Sequence, residues 1–489
     1  MNPPSATPAS KVIAIAVSPD KSPIAPPPGA DAKTVSLYEA HQKIYPRSVS
    51  GFFTRWRWAL VFITQLMFYG LPWLEWGQRQ MVLFDLGARR FYIFNLVLYP
   101  QDFIYLTGIL VISALSLFLF TAIAGRLWCG YACPQTVYTE IFLWLEKITE
   151  GERSARMRLD KAPWNLEKIG RKAAKNFLWI VLALWTGFTF VGYFSPIREL
   201  GSDFIQRNLS GWQAFWIFFY GFATYGAAGY MREQVCKHMC PYARFQSAMF
   251  DKDTLIVTYD VERGEPRGAR SKKADLSTLN LGDCISCNLC VQVCPTGIDI
   301  RDGLQYECIG CGACADACDA VMDKVGLPRG LVKYSTENAL KNKWTKAQTW
   351  RHVLRPRVLV YSAILMGIVV AMGVSLATRI PFKVDVVRDR GAMARQVQGG
   401  QIENVYRLQI MNATESGQRF RISVEGLPGA TVVSDSDVYI ESTQARWVPV
   451  RVQIPHNAAA AGSHTIHFKI KNQDNSDTVI EKSAFLVPR

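Results

Sequence analysis

At 489 residues with 49% apolar content, the chain is long enough to hold several domains. Its formal net charge of +15 does not indicate nucleic-acid binding, because the lysines and arginines flank apolar blocks, as the positive-inside rule describes for membrane proteins. The twelve cysteines fall into two runs of four and two separate pairs. This grouping excludes a secreted disulfide scaffold and favours metal sites in a reducing compartment.

Residues 1–45 are rich in Pro, Ala and Ser, which predicts a disordered N-terminal tail on the cytoplasmic side. The apolar run Val12–Val17 inside this tail is too short for the core of a signal peptide.

Residues 46–250 are predicted to form a four-helix membrane region, since a bilayer is crossed by about 20 apolar residues. The spans are expected at Trp58–Trp76, Phe103–Ala124, Asn176–Phe194 and Trp212–Met231, with Pro72 kinking the first. Residues 351–380 are predicted to contain a fifth span, Val358–Ala377. The many basic residues between the second and third spans indicate the cytoplasmic side. The N-terminus is therefore expected inside and the C-terminus outside.

Two CxxxCP motifs, Cys129/Cys133 and Cys236/Cys240, end the second and fourth spans. Because proline suits the first position of a helix, Cys133 and Cys240 are expected to be N-cap residues, where a helix N-terminus lowers the pKa of a thiol. Cysteines four apart on a helix have Cβ atoms about 5–6 Å apart. A disulfide needs about 3.8 Å, so the spacing favours a metal over a disulfide.

The kind of metal at these pairs is left open between two hypotheses. Two thiolates with His238 and Met239 nearby make a soft site that selects Cu(I), although those two residues are equally compatible with simply facing lipid headgroups. Alternatively, both pairs converge and their four thiolates ligate a third iron–sulfur cluster.

Residues 251–350 are predicted to be a cytoplasmic ferredoxin domain with two 4Fe-4S clusters. In each of two runs, three cysteines lie three apart and a fourth follows four positions later, as in bacterial two-cluster ferredoxins. In such ferredoxins the fourth cysteine reaches the neighbouring cluster. The two predicted ligand sets are therefore crossed: Cys284, Cys287, Cys290 and Cys318 for one cluster, and Cys308, Cys311, Cys314 and Cys294 for the other. Zinc is the weaker alternative, since its sites need only four thiolates, usually as two CxxC pairs.

Residues 381–489 alternate apolar and polar residues in several short segments separated by Gly, Pro, Asn and Asp. This pattern predicts an immunoglobulin-like β-sandwich, here without a cysteine to staple its sheets. The predicted fold class is thus a polytopic α-helical membrane protein with five transmembrane helices, a two-cluster ferredoxin module and a C-terminal β-sandwich.

The order of these modules resembles the CcoG/FixG/RdxA family over residues 45–489. Similar features include Arg126-Leu-Trp-Cys129-Gly-Tyr-Ala-Cys133-Pro134-Gln135 and Leu98-Tyr-Pro-Gln-Asp102. The resemblance implies an accessory protein for assembly of cbb3-type cytochrome c oxidase in the bacterial inner membrane, with reduction of Cu(II) to Cu(I) as its activity. It carries over the eight ferredoxin cysteines as cluster ligands and Cys129, Cys133, Cys236 and Cys240 as the copper site. The implied partners are copper, oxidase assembly factors and a copper transporter or chaperone.

The leading hypothesis is a membrane-bound cupric reductase supplied by a cytoplasmic electron donor. A second is an electron conduit that oxidises quinol and serves a periplasmic reductase, although such membrane ferredoxins typically lack the last span and the β-domain. A third is an assembly scaffold whose clusters sense redox state. The sequence is compatible with a homodimer but contains nothing that fixes the oligomeric state.

Overall fold

The computed structural model describes residues 43–77, 79–270, 281–389, 391, 394–475 and 477–488. Residues 44–489 belong to one compact unit, and the architecture below lies within it. The predicted disordered tail falls, up to residue 42, outside the described residues.

Helices dominate the first half of the described chain. They are α1 (Phe52–Gly70), α2 (Phe103–Ala124), α3 (Leu127–Tyr131), α4 (Pro134–Glu150), α5 (Arg153–Lys161), α6 (Leu166–Val191), α7 (Ile197–Gln206), α8 (Gly211–Thr224) and α9 (Pro241–Met249). Two π-helical segments, Tyr225–Met231 and Val235–Met239, lie between α8 and α9. Such wide turns are rare and frequently occur at functional sites.

Three helical stretches of the described residues are long and apolar enough to cross a membrane: Pro100–Ala124, Leu166–Val191 and Pro356–Ala377. The sequence predicted five, so two spans are not established. Helix α1 carries Arg55 and Arg57 near its start, and the α-helical part of α8 is only 14 residues long. Pro72 lies in the 3-10 turn that follows α1, so it ends the helix instead of kinking a longer one.

The described residues 75–77 and 79–98, which lie between α1 and α2, contain short antiparallel strands that the sequence did not predict. They are β1 (Glu75–Trp76), β2 (Arg79–Gln80), β3 (Val82–Asp85), β4 (Arg90–Ile93) and β5 (Leu96–Leu98). Strands β3, β4 and β5 make one small sheet, and β1 pairs with β2.

The ferredoxin module is built on one antiparallel pair, β6 (Ile256–Tyr259) with β7 (Val332–Ser335). Between these strands lie α10 (Val261–Gly264), α11 (Leu289–Gln292) and α12 (Ala313–Val325). After β7, the helices α13 (Glu337–Lys341) and α14 (Lys346–Val353) lead into α15 (Pro356–Ala377).

The C-terminal domain is a sandwich of two antiparallel sheets, which confirms the predicted β-domain. Its strands are β8 (Phe382–Arg388), β9 (Arg395–Val397), β10 (Gln401–Asn412), β11 (Gln418–Glu425), β12 (Thr431–Val432), β13 (Asp437–Ile440), β14 (Ala445–Pro455), β15 (Gly462–Asn472) and β16 (Thr478–Val487). One sheet has the order β12-β14-β10-β8, with β9 beside β10, and the other β13-β11-β15-β16. Alternate residues such as Val450, Phe468 and Phe485 are fully buried between the sheets.

Helices α2 and α15 run side by side in opposite directions. Near one end, Arg355 Nη2 donates to the carbonyl of Ala122 at 2.9 Å, and near the other Tyr105 Oη lies 3.1 Å from Ser375 Oγ. Each helix has 22 residues and is therefore about 33 Å long, close to the thickness of a hydrocarbon core. The ferredoxin module and the CxxxCP motifs lie at one end of this pair and the β-sandwich lies at the other.

The turn before α2 fastens the β-sandwich to the helical region. Tyr99 Oη donates to the carbonyl of Asn412 at 2.9 Å. Asp102, which is 3% exposed, pairs with Arg379 Nη2 at 2.6 Å and with Lys383 Nζ at 2.5 Å. The Leu98–Asp102 motif is thus a joint between the two parts of the chain.

Candidate metal centres

None of the twelve cysteines forms a disulfide bond. Four of them, together with apolar side chains such as Met322 and Leu331, line one cavity. These four are Cys284, Cys287, Cys290 and Cys318. We call this the first cavity. Cys287 is exposed, so the first cavity lies next to the protein surface.

A second cavity adjoins the first, and Cys290 lines both. Its other thiols are Cys294, Cys308, Cys311 and Cys314. Gly310 and Gly312 adopt positive φ angles of 63° and 73°, which let the chain turn around this cavity. The two cavities thus gather the cysteines in the same crossed sets that the spacing predicts, and ligation by these sets stays a prediction.

Burial raises the pKa of Cys290 to about 11 and the pKa values of Cys308 and Cys318 to about 12. The buried thiolate form is therefore favoured only when positive charge sits beside it, as in a metal cluster. A set of four thiols around an apolar cavity fits a cubane iron–sulfur cluster.

The aspartates near the second run have structural partners. Asp316 accepts hydrogen bonds from the backbone N–H groups of Phe53 and Thr54, at 3.1 and 2.7 Å, and so caps the start of α1. Asp319, at the position where a proline follows the first run, accepts from the Gly330 N–H at 2.8 Å and pins the loop before β7. These carboxylates hold the module together and attach it to α1.

The first CxxxCP motif lies on α3 and the start of α4. Cys129 is in α3, and Cys133 is the extended N-cap residue of α4, as predicted. The Cys133 N–H donates to the carbonyl of Trp128, five residues earlier, at 3.0 Å. Thr136 Oγ1 donates to the Cys129 carbonyl at 2.6 Å, which ties the two halves of the motif together.

The second CxxxCP motif repeats this geometry. The Cys240 N–H donates to the carbonyl of Val235, again five residues earlier, at 2.8 Å, and Cys240 is the N-cap residue of α9. Four residues before the first cysteine of each motif the chain makes the same kink, with φ 54° and ψ −117° at Gly125 and φ 44° and ψ −112° at Arg232. Such backbone suits glycine, and a non-glycine residue there costs about 1–3 kcal/mol.

The four CxxxCP cysteines lie near one another. Cys129 interacts electrostatically with Cys133, Cys236 and Cys240, and Cys133 does so with Cys240. Among the residues that the structure describes, however, no three His, Cys, Asp or Glu side chains come close enough together to hold a single metal ion. His238 is exposed and Met239 is 62% exposed, whereas the four cysteines are half-buried. Copper ligation by His238 and Met239 stays a prediction.

The pKa of Cys133 does not fall as its N-cap position predicted. Backbone N–H groups of Gln135 and Thr136 lower this pKa, but burial raises it more, so the net shift is upward. Burial likewise raises the pKa of Cys129 to about 12 and that of Cys236 to about 11, against the charge of Arg126.

The CxxxCP region packs directly on the loop around the second cavity. A Cβ atom at Gly130 would lie 2.8 Å from the Ile309 carbonyl oxygen and 2.9 Å from Cys311 Cα. Cys129 packs against the cluster of buried side chains that includes Ile309 and Cys311. Cys236 and Ile309 line one further pocket. The four thiols and the second cavity are therefore neighbours.

Several residues that build this neighbourhood were not singled out as functional from the sequence. Buried Arg126 donates to the Ala243 carbonyl at 2.5 Å, and its charge partly offsets the rise that burial causes in the pKa of Cys129, Cys236 and Cys308. Gln246 is fully buried and accepts a hydrogen bond from Cys129 Sγ at 3.5 Å. No local sequence signal marks Gln246.

Family models match three parts of the chain. They are a 4Fe-4S binding domain over residues 106–150, a 4Fe-4S dicluster domain over 231–337 and the immunoglobulin-like fold at the C-terminus of FixG over 372–488. With the membrane-length helices and the thiol-lined cavities, these matches define a membrane iron–sulfur protein of the electron-transfer class.

Relatives of known name match most of the chain. The nitrogen fixation protein FixG of Rhizobium meliloti (strain 1021) is 38% identical over 441 residues, which cover 82% of this chain and 84% of FixG. RdxB and RdxA of Cereibacter sphaeroides are 41% and 38% identical, over 81% and 80% of this chain and 84% of each relative. The chain belongs to the CcoG/FixG/RdxA family, as its modules suggested.

Proposed function

We propose that this protein is a membrane-bound cupric reductase that supplies Cu(I) for assembly of cbb3-type cytochrome c oxidase. The observation that carries this proposal is the packing of the CxxxCP thiols against the loop of the second cavity. Gly130 touches the backbone of Ile309 and Cys311 with no side chain between them. This close approach supports electron delivery from the ferredoxin module to a metal held by Cys129, Cys133, Cys236 and Cys240.

In this proposal, the first cavity holds one 4Fe-4S cluster through Cys284, Cys287, Cys290 and Cys318, and the second holds another through Cys294, Cys308, Cys311 and Cys314. When bound, such clusters supply one-electron carriers. Exposed Cys287 marks the side at which a cytoplasmic electron donor approaches. None of the second set of cysteines is exposed, and Cys311 belongs to the buried cluster on which Cys129 packs.

Copper is the substrate of the proposed reaction. Cu(II) held by the CxxxCP thiolates gains one electron and becomes Cu(I), the oxidation state that soft thiolate ligands prefer. The electron comes from a one-electron reductant on the ferredoxin side. His238 and Met239 are further candidate ligands on the exposed part of the same turn.

The proposal places the ferredoxin end in the cytoplasm and the β-domain in the periplasm of the bacterial inner membrane. The basic residues of α5 and the start of α6 lie at the ferredoxin end, as the positive-inside rule requires. Helices α1 and α8 also cross the membrane in this proposal, since Leu66 and Phe222 each expose 77% of their surface. The partners proposed are oxidase assembly factors and a copper transporter or chaperone.

Copper-dependent oxidation of the dithionite-reduced protein tests this function. Cu(II) added to reduced protein in detergent should be converted to Cu(I), which a chromogenic chelator measures. Replacing Cys129 and Cys133 together by Ser, or Cys236 and Cys240 together, should slow this reaction about tenfold or more, equivalent to about 1.4 kcal/mol.

The iron carried by the eight ferredoxin cysteines serves as the control and should be unchanged in both double variants. Copper reduction at the wild-type rate in both variants would place the reaction elsewhere. Reduction of the clusters by quinol, with no transfer to copper, would favour the electron-conduit function.

A further inference from the structure

Arg126 lies against the loop around the second cavity. A Cβ atom added to Gly310, which stands between Cys308 and Cys311, would lie 3.3 Å from the Arg126 carbonyl carbon and 3.7 Å from the Arg126 Cβ atom. The guanidinium donates through Nη2 to the carbonyl of Ala243 in α9 at 2.5 Å. The side chain is therefore held by contacts with the loop around the second cavity and with the helix that follows the second CxxxCP motif.

The positive charge of Arg126 is buried. Arg126 is 5% exposed, and its Nε–H group is buried without a hydrogen-bond partner among the described residues, none of whose carboxylates forms an ion pair with it. Its charge acts on Cys308 of the second cavity and on Cys129 and Cys236 of the CxxxCP motifs. An arginine stays charged in proteins, and a buried charge is costly unless an opposite charge lies beside it. The negative charge that balances Arg126 is therefore expected on the sulfur atoms around it.

The other arginines beside the two cavities have carboxylate partners. Arg57, next to the second cavity, pairs with Glu140 at 2.6 Å. Arg301, which lines the first cavity, donates through Nε and Nη2 to Asp299 at 2.8 and 2.6 Å. Each of these pairs adds little net charge to its surroundings. Arg126 therefore gives the surroundings of the second cavity a positive charge that no carboxylate pair cancels.

We infer that Arg126 is a redox-tuning residue, which raises the reduction potential of the cluster in the second cavity. The inference rests on the proposed function in placing a 4Fe-4S cluster there. Reduction adds one electron without forming or breaking a bond, and a fixed cation nearby stabilises the added negative charge. The potential of an iron–sulfur cluster depends on the charges and hydrogen bonds around it, and a charge shielded from water has the larger effect.

This tuning gives the ferredoxin module a direction. The second cavity adjoins the CxxxCP region, whereas exposed Cys287 belongs to the first cavity. Because Arg126 stabilises an added electron in the second cavity, it favours transfer away from the donor side. The residue that precedes the first CxxxCP motif by three positions thus acts on both metal centres that it touches.

Arg126→Gln tests the inference in the full-length protein in detergent. Glutamine can still donate to the carbonyl of Ala243 but carries no charge. In a redox titration followed by electron paramagnetic resonance, the equilibrium constant for reducing the cluster of the second cavity should fall about tenfold, which is about 59 mV for one electron. The signal that Cys308→Ser removes identifies this cluster. The potential of the other cluster is the internal control and should be unchanged.

Arg126→Lys separates the charge of the side chain from its shape. Lysine keeps the positive charge without the planar guanidinium, so the potential should lie closer to that of the wild type than to that of Arg126→Gln. Arg244→Gln is the matched control, since it removes an exposed cation of α9 that water screens, and both potentials should be unchanged. Equal shifts in the Lys and Gln variants, or a loss of iron from Arg126→Gln, would mean that Arg126 acts on structure alone and would overturn the inference.

The same titration separates this inference from the proposed function. Copper takes no part in it, so a failure to reduce Cu(II) leaves the expected shift in potential unchanged. If the wild-type protein lacks two 4Fe-4S signals, the cluster assignment of the proposed function fails and the inference fails with it. If both signals are present and Arg126→Gln keeps the wild-type potential, only the inference is wrong.

Discussion

Gly130 is the residue at which the first CxxxCP motif and the ferredoxin module approach most closely. An added Cβ would meet backbone atoms of Ile309, Gly310 and Cys311 at 2.8–2.9 Å. Backbone atoms of a loop around a cavity cannot rotate away as the end of a flexible side chain does. A side chain at position 130 therefore has to push the two parts of the protein apart.

We expect Gly130→Ala to slow reduction of Cu(II) about tenfold or more, because small displacements at a reacting site have large effects on rate. The rate of oxidation of the dithionite-reduced variant by Cu(II) measures this effect. Alanine has a higher helix propensity than glycine, so a lower rate in this variant cannot come from a weaker helix α3. Gly170→Ala, in α6 with no atom within 4 Å, is the control and should leave the rate unchanged. Equal rates in the two variants would contradict the expectation.

Helix α12 connects the two cavities. Cys314 lines the second cavity and Cys318 the first, and residues four apart lie on the same face of a helix. The same helix carries Asp316, which caps α1. Its position thus fixes both cysteine sets and their distance from the membrane region.

Double substitutions distinguish the crossed sets from uncrossed ones. If the sets are crossed, Cys287→Ser with Cys318→Ser removes ligands of one cluster, and about half of the iron should be lost. Cys314→Ser with Cys318→Ser removes a ligand from each cluster, and nearly all of it should be lost. Iron and acid-labile sulfide measure both results. Uncrossed sets would give the opposite pair of results.

The sequence predicts those elements that depend only on residues close together in the chain. Three cysteines spaced three apart predict a cluster loop, proline after Cys133 and Cys240 predicts an N-cap, and alternation predicts the strands of the β-domain. The contacts that position these elements join residues more than 80 apart, such as Gln246 with Gly125 or Arg232 with Glu146. Nothing in a local pattern indicates such pairs.

The limits of local patterns also explain two differences between prediction and structure, one in the fourth membrane span and the other in the pKa of Cys133. The apolar block Trp212–Met231 predicts one membrane span. In the structure the α-helix ends at Thr224 and the block continues as a π-helix, so the regular α-helix is shorter than a membrane span. The N-cap rule for Cys133 is correct about position, whereas burial by distant parts of the chain decides its pKa.

At the scale of the whole molecule, Asp102 holds the β-domain to the helices. It is 3% exposed and contacts Arg379 and Lys383, so its negative charge balances two cations at the joint. Removing one partner of a buried ion pair costs about 3–5 kcal/mol, because it leaves charge without compensation. The partial exposure of Lys383 places this joint near the lower end of that range.

We therefore expect Asp102→Asn to weaken the attachment of the β-domain to the helices by about 3 kcal/mol. Limited proteolysis near residues 377–382 should become faster, while the core of the β-sandwich stays folded. Glu75→Gln is the matched control, since the pair between Glu75 and Arg198 is exposed on both sides and is worth about 0–1 kcal/mol. Proteolysis of Asp102→Asn at the wild-type rate would show that other contacts hold the joint.

The exposure of Cys287 also determines how oxygen damages the protein. A surface thiol that a donor protein can approach is equally open to dissolved oxidants, which attack accessible thiolates first. The second cavity is shielded, since Phe53 packs on Gly312 and Gly130 packs on Ile309. Under the proposed function, exposure to air therefore damages the first set of cysteines before the second, and the side that packs on the CxxxCP region is the last to be lost.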